Sequence, residues 1–231
     1  MSRLPYYPQN EENREIEFKN INFKYPDSSK RIFNDFNLVI KTNDVIGIIG
    51  ENGSGKSTLI KLLTQIYKPN SGEILLNGID INQYNIEYLR KEIGLVNQSN
   101  FLLSGTIKDI CSLSGMEIED EKIKKMMKMF CLNSDNFRNG VLTNISENNM
   151  NISGGELQRL NLIRVFLENK SIYLFDEPTA SIDVVSENII CNNMKKLLKN
   201  KTAIIITHRP KLLELCNHVI VIQNGKPYEK K

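Results

Sequence analysis

Apolar runs of two kinds alternate along this chain. In the first kind, apolar and polar residues take turns. Ile16 and Phe18, then Ile21 and Phe23, have the period-two spacing of half-buried strands. Phe36-Asn37-Leu38-Val39-Ile40 repeats it after a turn at Pro26-Asp27-Ser28-Ser29. These runs predict an antiparallel β-layer from Glu15 onward. The second kind is almost wholly apolar. Val45-Ile46-Gly47-Ile48-Ile49 and residues 171–175, 203–207 and 218–222 read as strands buried on both faces, the habit of parallel sheets. Leu59-Ile60-Lys61-Leu62-Leu63 has helical spacing, with a stop at Lys68-Pro69-Asn70-Ser71-Gly72. Residues 72–78 read as a strand closed by an Asn77-Gly78 turn.

A middle stretch from about Ser99 to Glu147 is rich in Lys, Met, Asn and Glu. Residues 119–130 form a helix candidate with Ile123, Met126, Met127 and Phe130 on one side. Such a methionine stripe is packing surface, or alternatively a face for a partner. Strands alternating with helices imply an α/β fold with a mostly parallel sheet. Residues 1–14 are polar, with Pro5 and Pro8, and read as a linker or poorly ordered lead-in.

Composition narrows the class. At 231 residues, 40% hydrophobic and 25% charged, the chain has the make-up of a soluble globular protein with a sizeable core. A net charge of +3 is too small to argue for a nucleic-acid partner. Cys111, Cys131, Cys191 and Cys216 form no CxxC pair and read as free thiols of a reducing compartment. No apolar run approaches the roughly 18 residues of a membrane helix.

The strongest chemical signal is Gly50-Glu51-Asn52-Gly53-Ser54-Gly55-Lys56-Ser57-Thr58, which fits G-x-x-x-x-G-K-[ST] between a buried strand and a helix. Glycines let backbone N–H groups turn around phosphate oxygens, and the helix start adds orphan donors. Lys56 supplies a point charge for the β and γ phosphates, and the Ser57 hydroxyl suits Mg²⁺. Asp176 and Glu177 end the strand at 171–175. Carboxylates at such strand ends lie in the ligand crevice of α/β sheets. Asp176 is the candidate Mg²⁺ holder, through water, and Glu177 the candidate base that orients attacking water. His208 follows the strand at 203–207 as a candidate γ-phosphate contact, whereas His218 reads as structural.

The order of these motifs, with Ile152-Ser153-Gly154-Gly155-Glu156-Leu157-Gln158-Arg159 shortly before Asp176-Glu177, resembles the nucleotide-binding domain of ATP-binding-cassette (ABC) transporters. Residues 152–156 are similar to that family's LSGGQ signature, and the resemblance runs from about Glu15 to Gly225. It implies a P-loop NTPase core with an N-terminal antiparallel β-subdomain and an inserted α-helical subdomain at about 99–168. It implies ATP and Mg²⁺ as ligands, with Tyr25 stacked on adenine, Asn52 to Thr58 around the phosphates and Gln98 joining the Mg²⁺ site. His208 becomes the switch histidine, and Ala180-Ser181-Ile182-Asp183 the loop that crosses to the opposite subunit. Ser153, Gly154, Gly155 and Glu156 would grip the triphosphate held by a second copy, or a homologous ATPase domain, in a head-to-tail dimer.

Two segments resemble the exporter branch: Thr143-Asn144-Ile145-Ser146-Glu147, similar to T-x-V-G-E, and Leu103-Ser104-Gly105-Thr106-Ile107. The expected partner is then a transmembrane domain, on the same polypeptide or a separate subunit, with this domain at the cytoplasmic face. The substrate left open is peptide, lipid or drug. Departures from the pattern are Ser146 and Asn149 for glycines, Glu156 for glutamine, and Asp109-Ile110 without an intervening asparagine. Alternatives are a soluble ABC ATPase working on DNA or ribosomes, an importer subunit and a non-catalytic regulator. The short middle stretch, without sustained heptads, speaks against a coiled-coil chromosome protein. The lead-in reads as a former link to a membrane domain.

Overall fold

The computed structural model describes residues 15–97, 104–112, 115, 117–132, 137–146 and 152–230. Gln98, Leu103, Glu147, Asn149 and the lead-in lie outside the described residues. The chain divides into two compact units. The first takes residues up to 93, 171–174 and from 200 onward; the second takes 94–170 and 175–199.

In the first unit, β1 (Ile16–Lys24), β2 (Arg31–Ile40), β4 (Ser71–Leu76) and β5 (Ile79–Asp80) form an antiparallel sheet in the order β2-β1-β4-β5. Ile16, Phe18, Ile21, Phe23, Phe33, Phe36 and Ile40 point inward and are buried. The alternation breaks where the register slips between Phe18 and Ile21, at Asn20 with φ 52°. A second slip follows between Ile21 and Phe23, and β2 has its own left-handed residue there, Asp35 with φ 52°. Asn37 Oδ1 accepts from the Asn20 N–H at 2.8 Å, and Asn22 Oδ1 accepts from the Asp35 N–H at 3.2 Å. The donors displaced from the ladder are thus satisfied by side chains. Asn77 (φ 56°) and Gly78 (φ 74°) make the β4–β5 connection, the double positive φ of a two-residue hairpin.

A six-stranded sheet has the order β12-β11-β3-β10-β9-β6. Its members are β3 (Val45–Ile49), β6 (Ile93–Val96), β9 (Ile172–Asp176), β10 (Thr202–Ile206), β11 (His218–Gln223) and β12 (Lys226–Glu229). β10 and β11 flank β3 in parallel, and β12 returns antiparallel to β11. All residues of β9 and β10 are buried, as their unbroken apolar runs require. His218 opens β11 and meets Glu229 across the hairpin at 2.7 Å.

Helix α1 (Lys56–Leu63) ends before the expected stop at Pro69. Gln65 turns left-handed at φ 55°, its N–H reaching Leu62 O at 3.1 Å while the Ile66 N–H reaches Lys61 O at 2.9 Å. That pair of bonds is a Schellman closure, which satisfies the last carbonyls without proline. α2 (Ile86–Glu92) starts at Asn85, whose side chain accepts from the N–H groups of Glu87 and Tyr88.

In the second unit, β7 (Gly105–Thr106) pairs with β8 (Asn144–Ile145), so the two exporter-like segments are joined by a short ladder. Thr106 caps α3 (Ile107–Cys111) in a capping box with Asp109, which explains the acid at that position. The Thr106 hydroxyl and N–H hold the Asp109 carboxyl below its ordinary range. α5 (Gly154–Leu167) packs on α3 and on α4 (Asp120–Met129), and α4 touches α6 (Val184–Leu197). Ile123, Met126, Met127 and Phe130 are buried there, and the Phe166 ring meets those of Phe130 and Phe175 at a tilt of 33°, with centroids 5.5 and 5.7 Å away. The methionine stripe is therefore core. That is the first of the two readings of the stripe; the alternative of methionines facing a partner is corrected, because α4 exposes Lys122, Lys124, Lys125 and Lys128 instead.

All four cysteines are free. Burial pushes the Cys111 and Cys216 thiols up to about 12. Among the described residues, no helix is long and apolar enough to cross a membrane.

Candidate functional site

The phosphate loop leaves β3 at Gly50 and enters α1 at Lys56. Gly55 precedes the helix with φ 107°, and a Cβ there would come within 2.7 Å of the Ile32 side chain and 2.8 Å of the Phe33 ring. Only glycine fits both the conformation and the space. The start of α1 has no side-chain cap and no acid in its first turn. Its orphan N–H groups and dipole are therefore available to an anion. Ser54 Oγ is buried with no hydrogen-bond partner, a polar atom held ready inside the loop. Lys56 Nζ folds back on the loop, donating to Gly50 O at 2.6 Å and Glu51 O at 3.0 Å. Both are charge-assisted bonds to neutral carbonyls, and the charged oxygens of a phosphate would compete for the same ammonium. Together these features make a cradle that fits a polyphosphate.

Beside the loop opens a cavity of about 620 Å³, lined by Gly50 to Ser54, by Lys30, Arg31 and Ile32, and by the turn at Asn224-Gly225. Lys30 Nζ lies 3.9 Å from the point a Gly53 Cβ would occupy. Sequence reasoning missed Lys30, Arg31 and Ile32. The signal was two adjacent cations opening a strand after a turn, which resembles any solvated edge.

Tyr25 sits at the end of β1 in an aromatic cluster. Its ring meets Phe23 and Tyr67 edge-on, with centroids 5.0 and 5.1 Å away. The Tyr25 hydroxyl and Thr58 Oγ1 share a hydrogen bond of 3.0 Å, which ties the ring to the phosphate helix. Lys61 Nζ stands 5.5 Å above the ring.

The first unit also carries His208, exposed in the turn after β10, where Thr207 Oγ1 accepts from the Arg209 N–H at 3.0 Å. The second unit carries Asp176 and Glu177. Asp176 is 7% exposed at the end of β9. Glu177 follows in the left-handed region at φ 49°, a strain of about 1–2 kcal/mol for a residue with a side chain. Strain of this kind gathers at functional turns, where it aims a side chain out of the strand direction.

The signature segment begins α5. Ser153 is an exposed N-cap. Its hydroxyl accepts from the Glu156 N–H at 3.2 Å and donates to Glu156 Oε2 at 2.8 Å, and its own N–H donates to the same oxygen at 2.9 Å. Glu156 thus closes a capping box. Gly154 has open space where a Cβ would stand.

Oxygen donors of this set suit Mg²⁺, which binds one or two carboxylates and completes its shell with phosphates and water. Among the described residues no cluster of three or more His, Cys, Asp or Glu could hold a metal by itself. The first unit carries the Ser57 hydroxyl and the second the Asp176 carboxylate, each by itself an oxygen donor of the kind Mg²⁺ takes, and Gln98 lies outside the described residues.

The family model described as ABC transporter matches residues 33–180. The chain is 40% identical over 213 residues to the alpha-hemolysin translocation ATP-binding protein HlyB of Escherichia coli O157:H7, covering 91% of this chain and 30% of that protein. It is 37% identical over 220 residues to the exotoxin translocation ATP-binding protein PaxB of Pasteurella aerogenes, covering 94% of this chain and 31% of that one. A solved structure of a bacterial Atm1-family ABC exporter with ATP bound superposes with a TM-score of 0.89 at 27% identity, over 99% of this chain and 40% of the exporter. This chain therefore spans about a third of the length of such relatives. The phosphate loop, the strand ending in Asp176 and the Ser153 helix start, in that order and under a family model that covers most of the chain, lead to one conclusion: it belongs to the ABC transporter family.

Proposed function

We propose that this chain is the ATP-hydrolysing domain of an exporter, working as a head-to-tail pair at the cytoplasmic face of a membrane. The observation that carries the reading is the uncapped start of α1 behind a glycine loop, with a buried, unpartnered Ser54 hydroxyl and an exchangeable Lys56 ammonium. That arrangement recognises a polyphosphate. The relatives named for translocation of hemolysin and exotoxin, and the paired exporter-like segments at β7 and β8, favour export over import or work on nucleic acid. The transported substrate and the transmembrane partner belong to the whole exporter, and the helical subdomain at about 99–168 is the part of this chain we assign to meet its membrane helices.

In this reading Lys56 and the α1 N–H groups hold the β and γ phosphates, and Tyr25 stacks on the adenine. Ser57, Asp176 and Gln98 would hold Mg²⁺, which when bound would offset negative charge on the phosphates. Glu177 orients the attacking water and takes its proton, and His208 contacts the γ-phosphate. Ser153 and the N–H groups of Gly154 and Gly155 close over the triphosphate seated on the other copy. ATP then favours the closed pair because its γ-phosphate touches both copies, and hydrolysis removes that shared contact.

Glu177→Gln separates these roles. It keeps the shape of the side chain and the ATP affinity, removes the base, and traps a dimer on gel filtration with ATP and Mg²⁺ while turnover falls by roughly 100-fold or more. A variant that elutes as a monomer at saturating ATP, or that turns over at the parent rate, overturns the proposal.

A further inference from the structure

Gln158 is fully buried, and both ends of its amide are used on backbone groups of the segment after β9. Its Nε2 donates to the Glu177 carbonyl at 3.0 Å, and its Oε1 accepts from the Ser181 N–H at 2.7 Å. The Glu177 carbonyl also accepts from the Ala180 N–H at 3.2 Å, so two donors fix the strained turn on which that carboxylate stands. Gln158 lies one turn inside α5, directly behind the Ser153 cap. The same helix turn touches the same segment twice more. A Cβ on Gly155 would come within 2.8 Å of the Ser181 carbonyl, so the two backbones meet with no room between them. Arg159 reaches Asp183 Oδ2 at 2.9 Å, and Asp183 in turn caps α6.

We infer that Gln158 is a positioning residue that couples the Ser153–Gly155 helix start to Glu177. The inference rests on the head-to-tail reading above and deepens it. In that reading the helix start serves the triphosphate on the opposite copy, while Glu177 serves the one on its own copy. A movement of the helix start as it closes is passed to Glu177 through a buried amide that cannot yield to water. The second contact, to Ser181, carries the same movement into the loop assigned to cross toward the opposite subunit. Each closure event therefore sets the base of the other site, and the two hydrolysis events are linked. A side chain that only filled space would need neither end of the amide. Both ends are satisfied here, and both are spent on the strained turn and the loop that follows it.

The test uses the full chain with ATP and Mg²⁺. Gln158→Met keeps the volume and loses both bonds. Gln158→Glu keeps the acceptor for Ser181 and loses the donor to Glu177. ATP affinity is read by calorimetry, kcat and the Hill coefficient by steady-state hydrolysis, and folding by thermal melting. The expected result for both variants is parental ATP affinity, kcat lower by about 10- to 100-fold, and a Hill coefficient that falls from about 2 toward 1. Should Gln158→Met fail to fold, Gln158→Glu alone decides. A folded Gln158→Glu with the parent's kcat and cooperativity overturns the inference, as does a loss of rate matched by equal loss of ATP affinity and melting temperature. A parent that hydrolyses ATP without cooperativity also overturns it and leaves the proposed function standing. A parent that neither binds nor hydrolyses ATP removes the proposed function itself.

Discussion

Tyr25 has two jobs that substitution can pull apart. As a stacking platform it needs its ring; as a strut for α1 it needs its hydroxyl, which meets Thr58 Oγ1 at 3.0 Å. Thr58 is only 4% exposed, so water replaces a lost partner poorly. Tyr25→Phe should therefore cost about 1–3 kcal/mol of stability. With a slope of about 2–3 kcal/mol per M, the urea midpoint falls by roughly 0.3–1.5 M. The ring remains, so ATP affinity should stay within about twofold. Tyr25→Ala removes the platform as well. A base on an aromatic ring is worth about 1–3 kcal/mol. Lys61 already stands over this ring at 5.5 Å, a contact worth about 0.5–1 kcal/mol that the adenine must displace. With about 0.75 kcal/mol for that contact, the net loss is about 0.25–2.25 kcal/mol, a rise in Kd of about 1.5- to 45-fold. Calorimetry with ATP and urea titration of both variants check this. Parental affinity in Tyr25→Ala refutes the stacking role. Equal loss in both variants refutes it differently, because the hydroxyl bond to Thr58 would then be what shapes the phosphate helix.

Lys30→Met should raise the Kd for ATP by no more than about fivefold, with a weaker dependence of affinity on salt; calorimetry at two ionic strengths reads both. Ser153→Ala removes the cap of α5 and should cost about 1 kcal/mol, a melting shift of about 2–4 °C for a chain of this length, without changing ATP affinity of the single copy. An unshifted melt contradicts the capping box. The thiols at about 12 give a pH test. The fold disfavours their ionisation, so their contribution is complete below the ordinary value of 9.0 and is lost as pH rises from there toward about 12. At pH 8 only about one in ten thousand of each is thiolate, so Cys111 and Cys216 should resist a thiol reagent until urea unfolds the chain. Fast labelling of all four cysteines in the native state refutes their burial.

The parts of the fold readable in advance were those where one physical demand dominates. An apolar run with no polar interruption, such as residues 203–206, fits a strand buried on both faces and little else. The phosphate loop was equally plain, because its glycines and lysine answer a single chemical need. β6 and β12 escaped notice: Ile93–Val96 is only four residues long, and Lys226–Glu229 is mostly exposed, so neither carries a periodic signal. The end of α1 was misplaced because a left-handed Gln65 closed it, where proline and glycine downstream seemed the obvious stop. The roles of Gln158 and Glu156 were hidden for another reason. Their meaning lies in what their side chains reach, the Glu177 carbonyl and the Ser153 cap, and linear spacing does not encode reach.

The irregularities at Asn20 and Asp35 act as a matched pair of counting errors. Phe18 and Ile21, like Phe33 and Phe36, stand three residues apart, a spacing that strict alternation would put on opposite faces; the extra residue in each strand is what keeps Phe23 and Phe33 turned into the core. An insertion or deletion elsewhere in either strand has no such compensation. This hairpin should therefore accept changes of residue type at its exposed positions far more readily than changes in its length away from those two points.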